Sequence, residues 1–147
     1  MKVTVVWSSP NPERTMAVAM RRCYSTKAIE DIESELEQKG MEYCKYLIEK
    51  CLQDGSLDVL EHFTMTLLVE EMGEAEGGNL TRGFPYLRLT RLTASDWLLS
   101  LNARTLVELW RNPDSKAFAE SVVSELDNDN ISPVFNALAF GGRVRES

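Results

Sequence analysis

Few side chains here have a type and spacing that could do chemistry. Asn102-Ala103-Arg104 follows an apolar run and opens a helical pattern. An amide and a guanidinium then stand at a helix start, where free backbone N–H groups and positive charge can hold an anionic or heterocyclic ligand. The same residues also make an ordinary helix cap followed by a surface arginine, and spacing alone does not choose. The chain has one histidine, His62, and no G-x-S-x-G elbow, P-loop or dinucleotide fingerprint. Gly77-Gly78 lacks phosphate-loop spacing and serves backbone freedom. Cys23, Cys44 and Cys51 show no C-x-x-C spacing and fall in helical patterns, which predicts core thiols, no disulfide framework and no metal site. The acidic run Glu30, Asp31, Glu33, Glu35 and Glu37 reads as a solvated helix face.

The elements that must carry these residues follow from periodicity. Val3 to Trp7 is a strand that breaks at Ser8-Ser9-Pro10, after which Asn11 as N-cap and Pro12 at the first position start a helix reaching about Tyr24. From Ile29 to Cys51 apolar residues keep helical spacing with a slip near Gly40, and Asp54-Gly55 ends the run. Phe63 to Val69 alternates threonine with larger apolar residues, the pattern of a strand buried on one side. The stretch 73–83 is expected to be a flexible acidic loop. Tyr86 to Leu92 and Asp96 to Leu101 supply further strands. Asn102 opens a helix that stops before Pro113, and Asp114 caps a last helix to about Leu126. Strands and helices mix without a βαβ repeat, so the fold class is α+β, one domain over residues 1–147.

Composition sets the outer limits. With 147 residues, 44% apolar and 27% charged, the chain suits one domain with one core and excludes disordered and collagen-like classes. Its net charge of -7 repels phosphate at long range, so neither nucleic acid nor an anionic membrane is an expected partner. The apolar start is too short for a signal-peptide core, and a cytoplasmic protein is expected.

In chain order, several segments resemble the flavin-dependent thymidylate synthases. Val6 with Ser9-Pro10-Asn11-Pro12-Glu13 and Ala19-Met20-Arg21-Arg22-Cys23-Tyr24-Ser25 looks like that family's opening strand, turn and first helix, which ends in Arg-x-Cys-Tyr-Ser. Leu47 through Gly55 and Val59-Leu60-Glu61-His62-Phe63-Thr64 look like its helix, glycine turn and Glu-His-x-x-Phe start of a strand. Leu99 to Leu106 resembles the element carrying Asn-Ala-Arg-Ser-Leu, and Ile131-Ser132-Pro133-Val134-Phe135 its closing Pro-x-x-Phe. The resemblance implies the thymidylate-synthase-complementing-protein fold, a central, mostly antiparallel sheet with packed helices. The implied reaction moves a methylene from methylenetetrahydrofolate to dUMP and reduces it with hydride from FAD, with NADPH as reductant, in a homodimer or homotetramer.

The same comparison marks departures. Where the family carries Arg-His-Arg and then Ser-x-x-Ser-x-Arg-Tyr, which grip flavin and nucleotide, this chain has Glu70-Glu71-Met72-Gly73-Glu74-Ala75-Glu76. Ser56 stands where the family's flavin-contacting histidine follows a glycine, and Tyr86 where a nucleotide-holding arginine falls. The implied cofactor-binding residues are Asn102, Arg104 and Arg22, and the implied substrate-binding residues Arg82 and Arg88. Arg22 would lie near flavin phosphates or pair with an acidic neighbour. His62 would hold backbone at the strand's start or serve the site. Trp97 and Trp110 are expected on subunit-packing surfaces. Two functions remain open, thymidylate synthesis by a shortened enzyme and a non-catalytic nucleotide- or flavin-binding protein.

Overall fold

The computed structural model describes residues 1–141. The chain forms β1 (Lys2–Ser8), α1 (Pro12–Cys23), α2 (Ile29–Lys39), α3 (Met41–Asp54), a 3-10 helix (Leu57–His62), β2 (Thr64–Glu70), α4 (Glu74–Gly83), β3 (Arg88–Arg91), β4 (Trp97–Asn102), α5 (Ala103–Arg111), α6 (Lys116–Asn128) and α7 (Pro133–Phe140). The sheet is antiparallel throughout, in the order β1-β2-β4-β3. This is the expected α+β class with helices on one side of the sheet.

Side-chain alternation separates the two faces. Val3, Met65, Leu67, Val69, Leu99 and Leu101 are buried on the inner face against the helices. On the other face the register aligns Trp7, Thr66, Ser100 and Arg88 in one row across all four strands. Threonine and serine in the two middle strands make this face tolerable to water, and Thr66 Oγ1 lies 3.1 Å from Ser100 Oγ. The register shift between Val5 and Trp7 turns the β1 edge, and Arg88 and Arg91 charge the β3 edge, both of which discourage further strand pairing.

Helix boundaries follow local chemistry. Gly40, at φ 75°, separates α2 from α3, and Gly55, at φ 75°, closes α3 in the left-handed region. Asn11 does precede α1, but at φ 46° and without a side-chain cap bond, so its contribution is the left-handed turn. The cap of α6 is Ser115 rather than Asp114. Its Oγ, however, donates to the Leu109 carbonyl and so joins α5 to the α6 start. The chain then adds α7, whose Phe135 packs edge-on against Phe63 at 5.9 Å. Periodicity missed this helix because it is short and nearly all apolar.

Residues 74–83 are helical, a correction to the loop expected at 73–83. Its glycines obscured the helix. Leu80 is buried, Thr81 Oγ1 donates to the Gly77 carbonyl at 3.2 Å, and the Trp97 ring lies where a larger residue at Gly77 would sit. Tertiary packing thus overrides the poor propensity of Glu-Ala-Glu-Gly-Gly. Trp97 itself is buried, with Nε1 donating to the Met72 carbonyl at 2.8 Å, so it presents no packing surface, while Trp110 is partly buried and packs on Phe140 at 4.9 Å. Cys44 and Cys51 are core thiols, raised in pKa chiefly by burial, Cys51 to about 11. Cys23 is exposed instead, because it sits at the last turn of α1 beyond the buried stripe.

In the acidic helix α2, Glu35 differs from its neighbours. Its side chain is 13% exposed and meets Lys27 at 3.0 Å, Arg21 at 3.2 Å and Lys39 at 3.4 Å. Hydrogen bonds from Lys27 and then Arg21 lower its pKa from 4.5 to about 2. A carboxylate held ionised in the folded state stabilises fully above its unfolded pKa, and that contribution is lost as pH falls toward the folded value. The acid limb of thermal stability between pH 4.5 and about 2 should therefore flatten in Glu35→Gln, read by melting temperature against pH. A second expectation tests α4: Gly78→Ala, whose added methyl meets only the end of the long Arg82 side chain, should stabilise the protein by about 0.5–1 kcal/mol in denaturant unfolding. A loop at that position would give no such gain.

Candidate functional site

The motif segments meet where β2 begins. Ser9, in the turn after β1, donates its N–H to the Thr64 carbonyl at 2.9 Å, and its Oγ accepts the Thr64 N–H at 2.8 Å. From the other side Ala103 N–H donates to the Phe63 carbonyl at 2.8 Å. The opening turn, the 3-10 helix and the start of α5 are thus tied to one stretch of backbone, 63–64.

Asn102 is the N-cap of α5, its Oδ1 accepting the Thr105 N–H at 2.9 Å. Its amide nitrogen has no partner among the described residues. Two residues on, Arg104 reaches back to the 3-10 helix, with Nη1 2.9 Å from Glu61 and Nε 3.6 Å from Glu108. The Glu61 hydrogen bond chiefly raises the pKa of this guanidinium. Both groups of the Arg104–Glu61 pair are more than a third exposed, so water screens it and its net contribution is small. What the pair fixes is position, linking the Asn-Ala-Arg element to the residue beside His62.

Two clefts flank this junction. The first, about 440 Å³, lies between α1 and the 3-10 helix and is lined by Arg22, Cys23, Asp58 and His62, with Val18, Ala19, Ile29 and Val59 as apolar walls. Arg22 donates to the Ser25 carbonyl at 2.6 Å and has no carboxylate partner among the described residues. Of its two expected settings, the acidic pairing is therefore absent there. His62 is exposed at the end of the 3-10 helix, and its backbone carbonyl, not its imidazole, is engaged, by Ser9 Oγ at 3.4 Å. That corrects the expectation that the ring holds backbone.

The second cleft, about 310 Å³, opens on the outer sheet face and includes Trp7, Thr64, Thr66, Tyr86, Arg88 and Asn102. Arg88 donates to the Pro85 carbonyl. Thus Asn102 and Arg88 share one cleft, Arg22 and His62 share another, and Arg104 lies between carboxylates. Arg82 joins neither, since it sits on α4 and donates to Asn79 Oδ1. Sequence reasoning did not select Trp7 and Asp58, and met Tyr86 only as the residue in a lost arginine's place. Trp7 was visible as the apolar end of β1, but its row partners depend on the register shift. Among the described residues no group of His, Cys, Asp and Glu has the arrangement of a metal site, and no helix is long and apolar enough to cross a membrane.

The four-stranded sheet with its helices is the fold of a flavin-dependent thymidylate synthase. The structure aligns with the Helicobacter pylori flavin-dependent thymidylate synthase ThyX complexed with FAD and dUMP at a TM-score of 0.64 and 13% identity, covering 89% of this chain and 96% of that one. A second structure of the same Helicobacter pylori enzyme with FAD and dUMP aligns at 0.63, also at 13% identity, covering 95% of this chain and 99% of that one. In sequence, the family described as thymidylate synthase complementing protein matches residues 4–76. The flavin-dependent thymidylate synthase of Geobacter sulfurreducens is 28% identical over 82 residues, 56% of this chain and 34% of that protein. Family match, curated relative and fold together support the flavin-dependent thymidylate synthase family for this chain. Its match spans only 34% of the length of that curated relative.

One prediction tests the junction. Asn102→Ala removes the cap of α5 and should cost about 0.5–2 kcal/mol in denaturant unfolding, because the Thr105 N–H is left without its acceptor. An unchanged midpoint would mean that the cap is replaced by water.

Proposed function

We propose that this protein binds FAD in the cleft between α1 and the 3-10 helix and a deoxyuridine monophosphate on the outer sheet face, and serves thymidylate synthesis as a binding member of the family that does not turn the reaction over alone. The observation that carries this reading is the convergence of the retained motif residues, Arg22 with His62 in one cleft that Asp58 also lines, and Arg104 locked to Glu61 beside it. The donor set fits part of a flavin dinucleotide. Arg22 offers a guanidinium uncompensated by any described carboxylate, suited to a phosphate, and Val18, Ile29 and Val59 offer walls for a ring. Asp58 can accept hydrogen bonds from sugar or ribityl hydroxyls.

When bound, reduced flavin supplies hydride for the methylene carried from methylenetetrahydrofolate to the uracil ring, and NADPH supplies the reducing equivalents. The protein's own part is orientation. Arg104 retains Nη2 for a ligand while Nη1 and Nε are held by carboxylates, and Asn102 retains its amide nitrogen. On the outer face Arg88 is the phosphate partner and the Thr66–Ser100 hydroxyl pair the polar floor, with Trp7 and Tyr86 as flanking rings. Arg82, away from both clefts, serves the nucleotide only if a second subunit brings the site to it. Trp7, 53% exposed, and Tyr86, 61% exposed, support assembly into a homodimer or homotetramer, and a cytoplasmic setting is part of the same proposal.

Catalysis needs the carbon carrier, uracil and flavin stacked within about 3–3.5 Å, and a misplacement of roughly one ångström already costs about a hundredfold. The acidic α4 segment offers no Arg-His-Arg to impose that order. FAD titrated into the purified chain should give a flavin band at about 450 nm that survives gel filtration. Arg22→Ala and Arg104→Ala should each weaken binding roughly tenfold. Absence of bound flavin, or equal affinity in Arg22→Ala, overturns the assignment of the cleft. Tritium release from 5-tritiated dUMP with methylenetetrahydrofolate, FAD and NADPH should stay at the no-enzyme level. Release well above it that Arg104→Ala abolishes would make the chain a complete enzyme.

A further inference from the structure

A cavity of about 630 Å³ lies between α4 and the turn joining α5 to α6, and it shares no lining residue with the two clefts above. Its floor is apolar: Met72, Leu80, Phe84 and Phe118 are buried there. Its rim carries two exposed carboxylates from different elements, Glu76 of α4 and Asp114 of the turn. Neither is within ion-pair reach of a cation among the described residues.

The cations around the cavity make other contacts, Arg82 to a neutral lining residue, and none is ion-paired to Glu76 or Asp114. Arg82, the basic residue of α4, donates to Asn79 Oδ1. Lys116, at the start of α6, lies over the Trp110 ring at 5.1 Å. Arg91 meets Glu74 at 3.6 Å and lies over the Trp97 ring at 5.4 Å. Two uncompensated carboxylates therefore stand over an apolar floor with two phenyl rings. An anion is repelled by such a rim, and a neutral apolar molecule leaves its field unused. A molecule with an apolar body and one cationic end satisfies both, the body covering Leu80 and Phe118 and the charge meeting the rim. The net charge of -7 adds a long-range pull of the same sign.

We propose that this cavity is a binding site for a small organic cation, an ammonium or amidinium group on an apolar ring or short chain. Because the site joins α4 to the α5–α6 turn, occupancy also clamps α4, a helix otherwise held to the sheet mainly through Met72, Trp97 and β3. The proposal does not depend on flavin or nucleotide binding, so it stands or fails apart from them.

The test is a titration of the full chain followed by two-dimensional NMR of backbone amides, with phenethylammonium chloride as probe and 2-phenylethanol as its uncharged counterpart. Phenethylammonium should move resonances of residues 76–84 and 112–118 saturably, and 2-phenylethanol should bind at least about tenfold more weakly. The double variant Glu76→Gln with Asp114→Asn, both exposed positions, should lose about the same factor for the ammonium while keeping its melting temperature. No saturable movement in those segments, equal affinity for amine and alcohol, or undiminished affinity in the double variant would each overturn the proposal. Should the double variant fail to fold, the comparison of amine with alcohol on the unaltered protein decides.

Discussion

The short stretch of backbone at Phe63 and Thr64 is the constraint on which the rest of the site depends. It is bonded on one side by Ser9, through both its main chain and its hydroxyl, and on the other by Ala103. These partners are far apart in sequence, and each belongs to a segment with its own chemical side chains. Because a buried main-chain group left unpaired costs more than a made bond returns, these contacts fix register as well as contribute stability. Arg22, His62 and Arg104 therefore have defined relative positions before any ligand arrives.

Charge is distributed to match that frame. The strongest ion cluster, Glu35 with Lys27, Arg21 and Lys39, lies on the α1–α2 surface, where it holds helices together. Arg104 is balanced by Glu61 and Glu108, while Arg22 and Arg88 stay without described carboxylate partners in their clefts. An acidic protein that leaves a few guanidiniums unpaired concentrates its affinity for anions at those points, since its overall field repels them everywhere else.

Much of this was legible in the residues. Strong periodicity gave β1, α1, the α2–α3 break at Gly40, β2, β4 and α5 close to their observed limits, because in each a buried stripe coincides with a clear start or stop. Residues 74–83 were misjudged because turn-forming glycines outweighed one buried leucine, and only Trp97, distant in sequence, shows why Gly77 must be small. The helix α7 was missed for the opposite reason, an apolar run with no polar face to mark a period. At the site, Asn102 and Arg22 stood out by motif. The pairing of Arg104 with Glu61 and the row from Trp7 to Arg88 did not, since both arise from tertiary register.

The carboxylate of Glu13, buried at the start of α1, accepts the Phe135 N–H at 2.7 Å. A side chain near the beginning thereby caps a helix near the end of the described chain. The α7 N-terminus consequently borrows its countercharge from a residue more than a hundred positions earlier. A nascent chain has that residue from the outset, yet α7 cannot use it until the helices between have collapsed. The contact is a closing step with a large loop entropy, and it ties completion of the aromatic cluster of Phe63, Phe135 and Phe140 to the integrity of the opening turn. Damage to the opening turn or to Glu13 is thus felt at the far end of the core.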